Sequence, residues 1–227
     1  MRYISLIFLS LIFSFSAVSQ EFTYSDSLRG NLSEFRSCYD VFYYDLNVTV
    51  DDYQQKLIYS SNTIHATAVS SFQKIQIDLF ESLKIHSIEF EEKILEFERK
   101  HNAVFINFPR VINVNEKINF KVMYSGKPRV AVNPPWDGGF SWEKDKNGNS
   151  WIGVSCQGLG ASSWWPCKDH QSDEPDSMNI TSTVRYPLQV ISNGKKKSDK
   201  TFFSEKLQSK ANKSSWIVSY PTHSVTL

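Results

Sequence analysis

Polar and apolar side chains alternate along most of this chain, and the alternation reads as strands. In residues 41–50, VFYYDLNVTV, Leu46, Val48 and Val50 are separated by polar neighbours, a period of two that buries one face of an extended segment. The same beat returns at Ile75, Ile77 and Leu79, and at Ile118, Phe120, Val122 and Tyr124. Runs of β-branched and aromatic residues predict further strands over 63–70, 84–90, 103–108, 179–186, 188–192, 200–206 and 214–219. Turn formers divide them at Asp51-Asp52, Ser60-Ser61-Asn62, Ser125-Gly126, Asn147-Gly148 and Asn193-Gly194. Asn-Gly is the strongest of these signals, because both central positions of a tight hairpin favour positive φ. One stretch departs from the period of two: Leu28, Leu32 and Phe35 share a face at helical spacing, predicting a helix around Leu28 to Cys38. The pattern therefore predicts an all-β fold, an antiparallel β-sandwich or set of curved sheets with ten or more strands, and shows no internal repeat.

The first nineteen residues read as an address rather than as fold. Met1-Arg2-Tyr3 carries one positive charge, Ile4 to Phe15 is apolar but for Ser5, Ser10 and Ser14, and Ser16-Ala17-Val18-Ser19 supplies small residues for cleavage. Charge, apolar run and small-x-small site in that order predict a signal peptide over residues 1–19, leaving Gln20 first in the mature chain. A run of this length falls short of the roughly 20 residues that span a bilayer. The chain has no later run of spanning length, so the expectation is a soluble domain over 20–227 that is secreted, periplasmic or held at the cell surface.

Composition narrows the function. Twenty-five basic against 24 acidic residues give a formal net charge of +1, without the basic excess of a nucleic-acid binder. Three cysteines, Cys38, Cys156 and Cys167, are too few for a disulfide scaffold or a four-thiolate zinc site. Residues 132–176 break the strand rhythm and hold Trp136, Trp142, Trp151, Trp164 and Trp165, together with Pro134, Pro135, Pro166 and Pro175. Loops of this kind on a β scaffold are where binding chemistry sits. Within them, Asp145-x-Asn147-Gly148-Asn149 opens like a calcium loop, but the twelfth position is Cys156 instead of glutamate, so a hairpin turn is the better reading. Asp169, His170, Asp173, Glu174 and Asp176 read as a solvated acidic loop rather than a metal site, and Gly158-Leu159-Gly160 lacks the setting of a phosphate loop. No Gly-x-Ser-x-Gly elbow and no His-Glu-x-x-His helix occurs, and His65, His86, His101, His170 and His223 are scattered. Lys195-Lys196-Lys197 reads as a solvated hairpin tip, and Asn31, Asn47, Asn179 and Asn212 stand in glycosylation sequons.

Six pieces then fall into a recognisable order. Gly158-x-Gly-Ala-Ser-Ser-Trp164-Trp165-Pro166-Cys167-Lys168-Asp169, followed by Asp173-Glu174-Pro175-Asp176, resembles a signature in the N-terminal domain of the zinc aminopeptidase family that includes aminopeptidase N and leukotriene hydrolase. Pro135-Trp136-Asp137-Gly138-Gly139-Phe140 resembles the segment before that signature, and Tyr39 to Leu46 the opening strand. Val122-x-Tyr124-x-Gly126, Val190-x-Ser192-Asn193-Gly194 and Trp216 to Ser224 are similar to later landmarks, so the resemblance covers roughly residues 38 to 227. It implies a saddle-shaped all-β domain packed on a separate catalytic domain, which carries the zinc motif that this chain lacks. It also implies that Gln157, nine residues before Pro166, reaches the active-site cleft and helps bind the substrate's free α-amino group. The expected role is the N-terminal substrate-binding and structural domain of a secreted zinc aminopeptidase acting on peptide N-termini, with zinc held by the catalytic domain and none bound by residues 1–227. A secreted β-sandwich using the tryptophans as a platform for carbohydrate or protein partners is the alternative, and it requires those rings to be exposed.

Overall fold

The computed structural model describes residues 21–52, 56–222 and 225–227; the leader read at residues 1–19 and His223 lie outside the described residues. Two short helices, α1 (Tyr24–Gly30) and α2 (Glu34–Ser37), precede the strands. The single helix expected around Leu28 to Cys38 is thus broken at residues 31–33. Thr23 caps α1 in a reciprocal capping box with Asp26, and Ser33 restarts the chain as the α2 cap.

Thirteen strands follow among the described residues: β1 (Tyr39–Asp51), β2 (Leu57–Ala68), β3 (Phe72–Asp78), β4 (Leu83–Phe90), β5 (Lys93–Ile94), β6 (Phe97–Lys100), β7 (Ala103–Ile112), β8 (Lys117–Gly126), β9 (Gly139–Lys144), β10 (Ser150–Ser155), β11 (Ser177–Arg185), β12 (Lys195–Ser204) and β13 (Ser209–Val218). Eight form one sheet in the order β12-β13-β11-β1-β2-β8-β4-β5, three form a second in the order β3-β7-β6, and β9 and β10 form a separate hairpin. Register shifts at Val41/Tyr43, Ile85/Ser87 and Lys196/Ser198 bend the large sheet, as bulges do. The sheets are curved and packed face to face, as the alternation predicted, with one departure from the antiparallel expectation: β1 and β11 run parallel, Tyr43 opposite Ser177 through Thr49 opposite Thr183. More than 100 residues separate them, so the chain is free to return in either direction.

The inward positions are those that the period of two marked. Leu46, Val48 and Val50 of β1, Ile58 and Ile64 of β2 and Ile118, Phe120 and Val122 of β8 are buried, in one apolar core with Ile75, Ile77, Val104 and Ile106 of the small sheet. Phe108 joins the layers, meeting Phe72, Phe90 and Phe120 edge-on with centroids 5.6, 5.0 and 5.9 Å apart.

Four local expectations are corrected. Ser60-Ser61-Asn62 is no turn but the middle of β2, because its alternation carries Ser60 and Asn62 inward while both edges of the strand are paired. Residues 188–192 form no strand: β13 already pairs with β11 and β12 on its two edges, and the Asn212 amide caps the Leu188 carbonyl at 2.8 Å. Lys195-Lys196-Lys197 starts edge strand β12 rather than tipping a hairpin, and the true tip is at 205–208. Lysines on an exposed edge discourage pairing with another chain. Residues 169–176 are not a freely solvated acidic loop, since Asp173 is buried. The hairpin read between Trp142 and Trp151 is present as β9 and β10.

Cys38, Cys156 and Cys167 are all buried, and burial pushes the Cys38 thiol up to about 11 and the Cys167 thiol upward as well. All three should be silent to a thiol reagent at pH 8 in the native chain and all three should react in denaturant. Fewer than three in denaturant would reveal a disulfide, and rapid native labelling would show that the burial is wrong.

Candidate functional site

The irregular segment after β10 is fastened to the core by its tryptophans. Trp164 and Trp165 are each 1% exposed; Trp165 meets Tyr44 edge-on at 4.8 Å, and Trp164 meets Phe140 at 6.1 Å. Trp142 stacks on Phe140, whereas Trp136 and Trp151 are 72% and 67% exposed. The Trp-Trp pair is therefore core, not a platform. Next to it, the Pro166 carbonyl accepts from Asn62 at 2.8 Å and the Cys167 backbone exchanges two hydrogen bonds with Asp78 at the end of β3. Asn62, misread as a turn residue, is an inward amide that holds this segment to the large sheet.

Two buried ion pairs order the rest. Lys168 binds Asp173 at 2.6 Å, donates to the Tyr39 carbonyl at 2.6 Å and lies over the Tyr39 ring. Burial raises the Asp173 carboxyl above its ordinary range, with Lys168 drawing it back. Arg36, fully buried on α2, meets Asp78 at 2.5 Å. The same carboxylate accepts from the Asp169 N–H at 3.2 Å and from the Gln76 amide at 3.0 Å. Arg36 also donates to the carbonyls of Arg29 and Asn31 at 2.6 and 3.0 Å, and Gln76 donates to that of Leu28 at 3.0 Å. Asp78 and its partners thus tie the end of α1, the end of β3 and the start of the 169–176 loop to one point.

These ties frame a cleft of about 570 Å³ lined by Asp26, Arg29, Gln157, Asp169, His170 and Gln171 among others. Gln157 is exposed in the turn between Cys156 and Gly160, which closes by a hydrogen bond from the Gly160 N–H to the Cys156 carbonyl at 2.9 Å. Gly158 and Gly160 have φ of +76° and +84°, and a Cβ at Gly160 would collide with the Asp169 carboxylate, which is bonded to Ser162. Glycine is required there because side chain and backbone pass too closely for anything larger. The structure thus brings Gln157, Asp169 and His170 to one cleft, but turns Asp173 away into the core. No group of three His, Cys, Asp or Glu side chains among the described residues is placed to hold a metal. Arg29, Arg36, Asp78 and Lys168 were missed. The one sequence signal for Asp78 is a carboxylate between the apolar residues Ile77 and Leu79.

The family model of the peptidase M1 N-terminal domain matches residues 41–220. The chain belongs to this family. Its fold is similar to that of a glutamate-to-alanine mutant of the M1 zinc metallopeptidase from Deinococcus radiodurans, with a TM-score of 0.69, 17% identity, and cover of 87% of this chain and 44% of that one. A two-domain M1 zinc metallopeptidase bound to L-arginine gives 0.67, 18%, 84% and 42%. Native leukotriene A4 hydrolase from Saccharomyces cerevisiae gives 0.64, 15%, 91% and 31%. At these identities the likeness is one of fold, and the chain spans less than half the length of each. No curated protein sequence matches it significantly.

Within the M1 N-terminal domain the Arg36–Asp78 pair makes a testable demand. Burial pushes the Asp78 carboxyl up to about 6 although the Arg36 guanidinium pulls it down. Its folded value lies above its unfolded one, so the stability linked to its protonated form is full below about 4 and is lost as pH rises through about 6. Arg36→Met removes the compensating charge and should cost about 3–5 kcal/mol at pH 8, where Asp78 would be buried as a lone anion. For a domain of this size that is a fall in Tm of roughly 6–20 °C. The cost should shrink at pH 5, where Asp78 takes up a proton. Thermal melts at both pH values decide it, and a loss independent of pH would mean that the charges are not the cause.

Proposed function

We propose that this M1 N-terminal domain is the substrate-binding and structural part of a secreted zinc metallo-aminopeptidase, and that Gln157 receives the free α-amino group of a peptide. The observation that carries the reading is the placement of Gln157, exposed on a glycine-hinged turn whose two ends are fixed, facing the cleft that also holds Asp26 and Asp169. An amide oxygen accepts from an ammonium, and a hydrogen bond to a charged group is of the stronger kind. Asp26 and Asp169 line the same cleft, and their carboxylates suit a cationic group. Two solved structures of similar fold support the substrate class: an M1 zinc metallopeptidase mutant from Deinococcus radiodurans bound to a Tyr-Ser-Ala substrate, and a two-domain M1 zinc metallopeptidase mutant bound to L-arginine.

The zinc and its activated water belong to a catalytic domain. A seat for that domain is offered by an apolar groove of about 430 Å³ lined by Val50, Trp151, Ile152, Leu188 and Val190, with Ile191 78% exposed beside it. An exposed apolar groove of this kind is a feature of interaction surfaces. Secretion rests on the apolar leader at residues 1–19. The carbohydrate-platform alternative is not favoured, because Trp164 and Trp165 are core residues.

In the protein that joins this domain to its catalytic partner, Gln157→Ala should lower kcat/KM about ten- to hundredfold, the loss of one charged hydrogen bond of about 1.5–3 kcal/mol. The loss should be confined to substrates with a free N-terminus, and Gln157→Glu should keep or strengthen amine binding. Tm should stay within a few degrees of the parent. Unchanged kcat/KM in Gln157→Ala, or a loss explained by unfolding, would make the residue structural.

A further inference from the structure

The helix α1 lies outside the residues that match the family model, yet it forms one wall of the Gln157 cleft through Asp26, Arg29 and Gly30. It contributes no buried residue, so core packing does not explain why it sits there. Its Arg29 side chain reaches across the cleft mouth. One terminal nitrogen, Nη2, donates to the Gly158 carbonyl at 2.9 Å and to the Leu159 carbonyl at 2.7 Å, the two residues that follow Gln157.

That contact falls on the most deformable part of the site. The Cys156–Gly160 turn contains two glycines at positive φ, and glycine has the widest conformational freedom of any residue. A guanidinium on consecutive carbonyls fixes the plane of both peptide units and hence the direction in which the preceding side chain leaves the backbone. The clamp is itself anchored: the Arg29 carbonyl accepts from Arg36, whose charge is held by Asp78.

We infer that Arg29 is a positioning residue for Gln157, setting the amide that meets the substrate's ammonium, and that α1 serves to build this wall of the cleft. The inference rests on the amine-binding reading of Gln157. Arg29 touches no reacting atom; it acts through the turn.

The test is a double-mutant cycle in the protein carrying both domains, using an aminoacyl chromogenic amide as substrate. Arg29→Ala should lower kcat/KM roughly tenfold, since misplacing a binding group by about an ångström costs up to about 100-fold. Arg29→Lys, which still brings a donor to the turn, should retain more activity than Arg29→Ala. In the Gln157→Ala background Arg29→Ala should add almost nothing, because its effect passes through Gln157. An effect that multiplies in that background would overturn the positioning role, as would full activity of Arg29→Ala alone beside an impaired Gln157→Ala. If Gln157→Ala is itself silent, the amine-binding reading fails and this role fails with it. Hydrogen exchange on the 227-residue chain gives a readout free of that reading. Arg29→Ala should speed exchange of the Gly160 amide at unchanged Tm, and equal rates in the two proteins would show that Arg29 does not hold the turn.

Discussion

A charged pair taken wholly out of water must be surrounded by hydrogen bonds or it destabilises the fold, and the Arg36–Asp78 pair is surrounded by the elements that form the cleft. Arg36 donates through Nη1 to the carbonyls of Arg29 and Asn31, while its buried Nε has no partner among the described residues; Asp78 accepts from Gln76 and from the Asp169 backbone. The demands of two buried charges thereby fix where α1 ends, where β3 ends and where the loop after Trp164-Trp165 begins. The Lys168–Asp173 pair repeats the arrangement one step along, on β1. The cleft is set by buried electrostatics as much as by the sheets that carry it.

The division between what the sequence showed and what it concealed follows from the same physics. Sheet faces were legible because burial against a flat layer imposes a period of two, and the inward set at Leu46, Val48 and Val50 or Ile118, Phe120 and Val122 obeys it. Ser60-Ser61-Asn62 misled because polar residues at inward positions look like a turn until their partner, here the Pro166 carbonyl over 100 positions away, is known. Residues 188–192 misled because β propensity says nothing about whether a free sheet edge exists. The place of Gln157 came from a resemblance to a family, and the residues around it would not have singled it out. Arg29 and Arg36 were invisible, since a charge in a short helical segment reads as solvated unless its buried partner on another element is seen.

Burial also sorts the tryptophans by role. Trp164 and Trp165 fasten the signature segment to β1 and to the β9–β10 hairpin, which lets the glycines beside them bend without loosening the loop as a whole. Flexible backbone is confined to the few residues that present Gln157, between a tryptophan anchor on one side and a hairpin on the other. Such confinement suits the amine-binding role proposed for Gln157: freedom to take an unusual backbone path, with little freedom left to wander from it.

The most direct test of this account is a crystal structure of the protein bearing both domains with a free amino acid bound. The account predicts the ligand's α-ammonium within hydrogen-bond distance, about 2.7–3.2 Å, of the Gln157 side-chain oxygen, with the Arg29 guanidinium still on the carbonyls of Gly158 and Leu159. An ammonium bound elsewhere, with Gln157 directed to solvent, would contradict it.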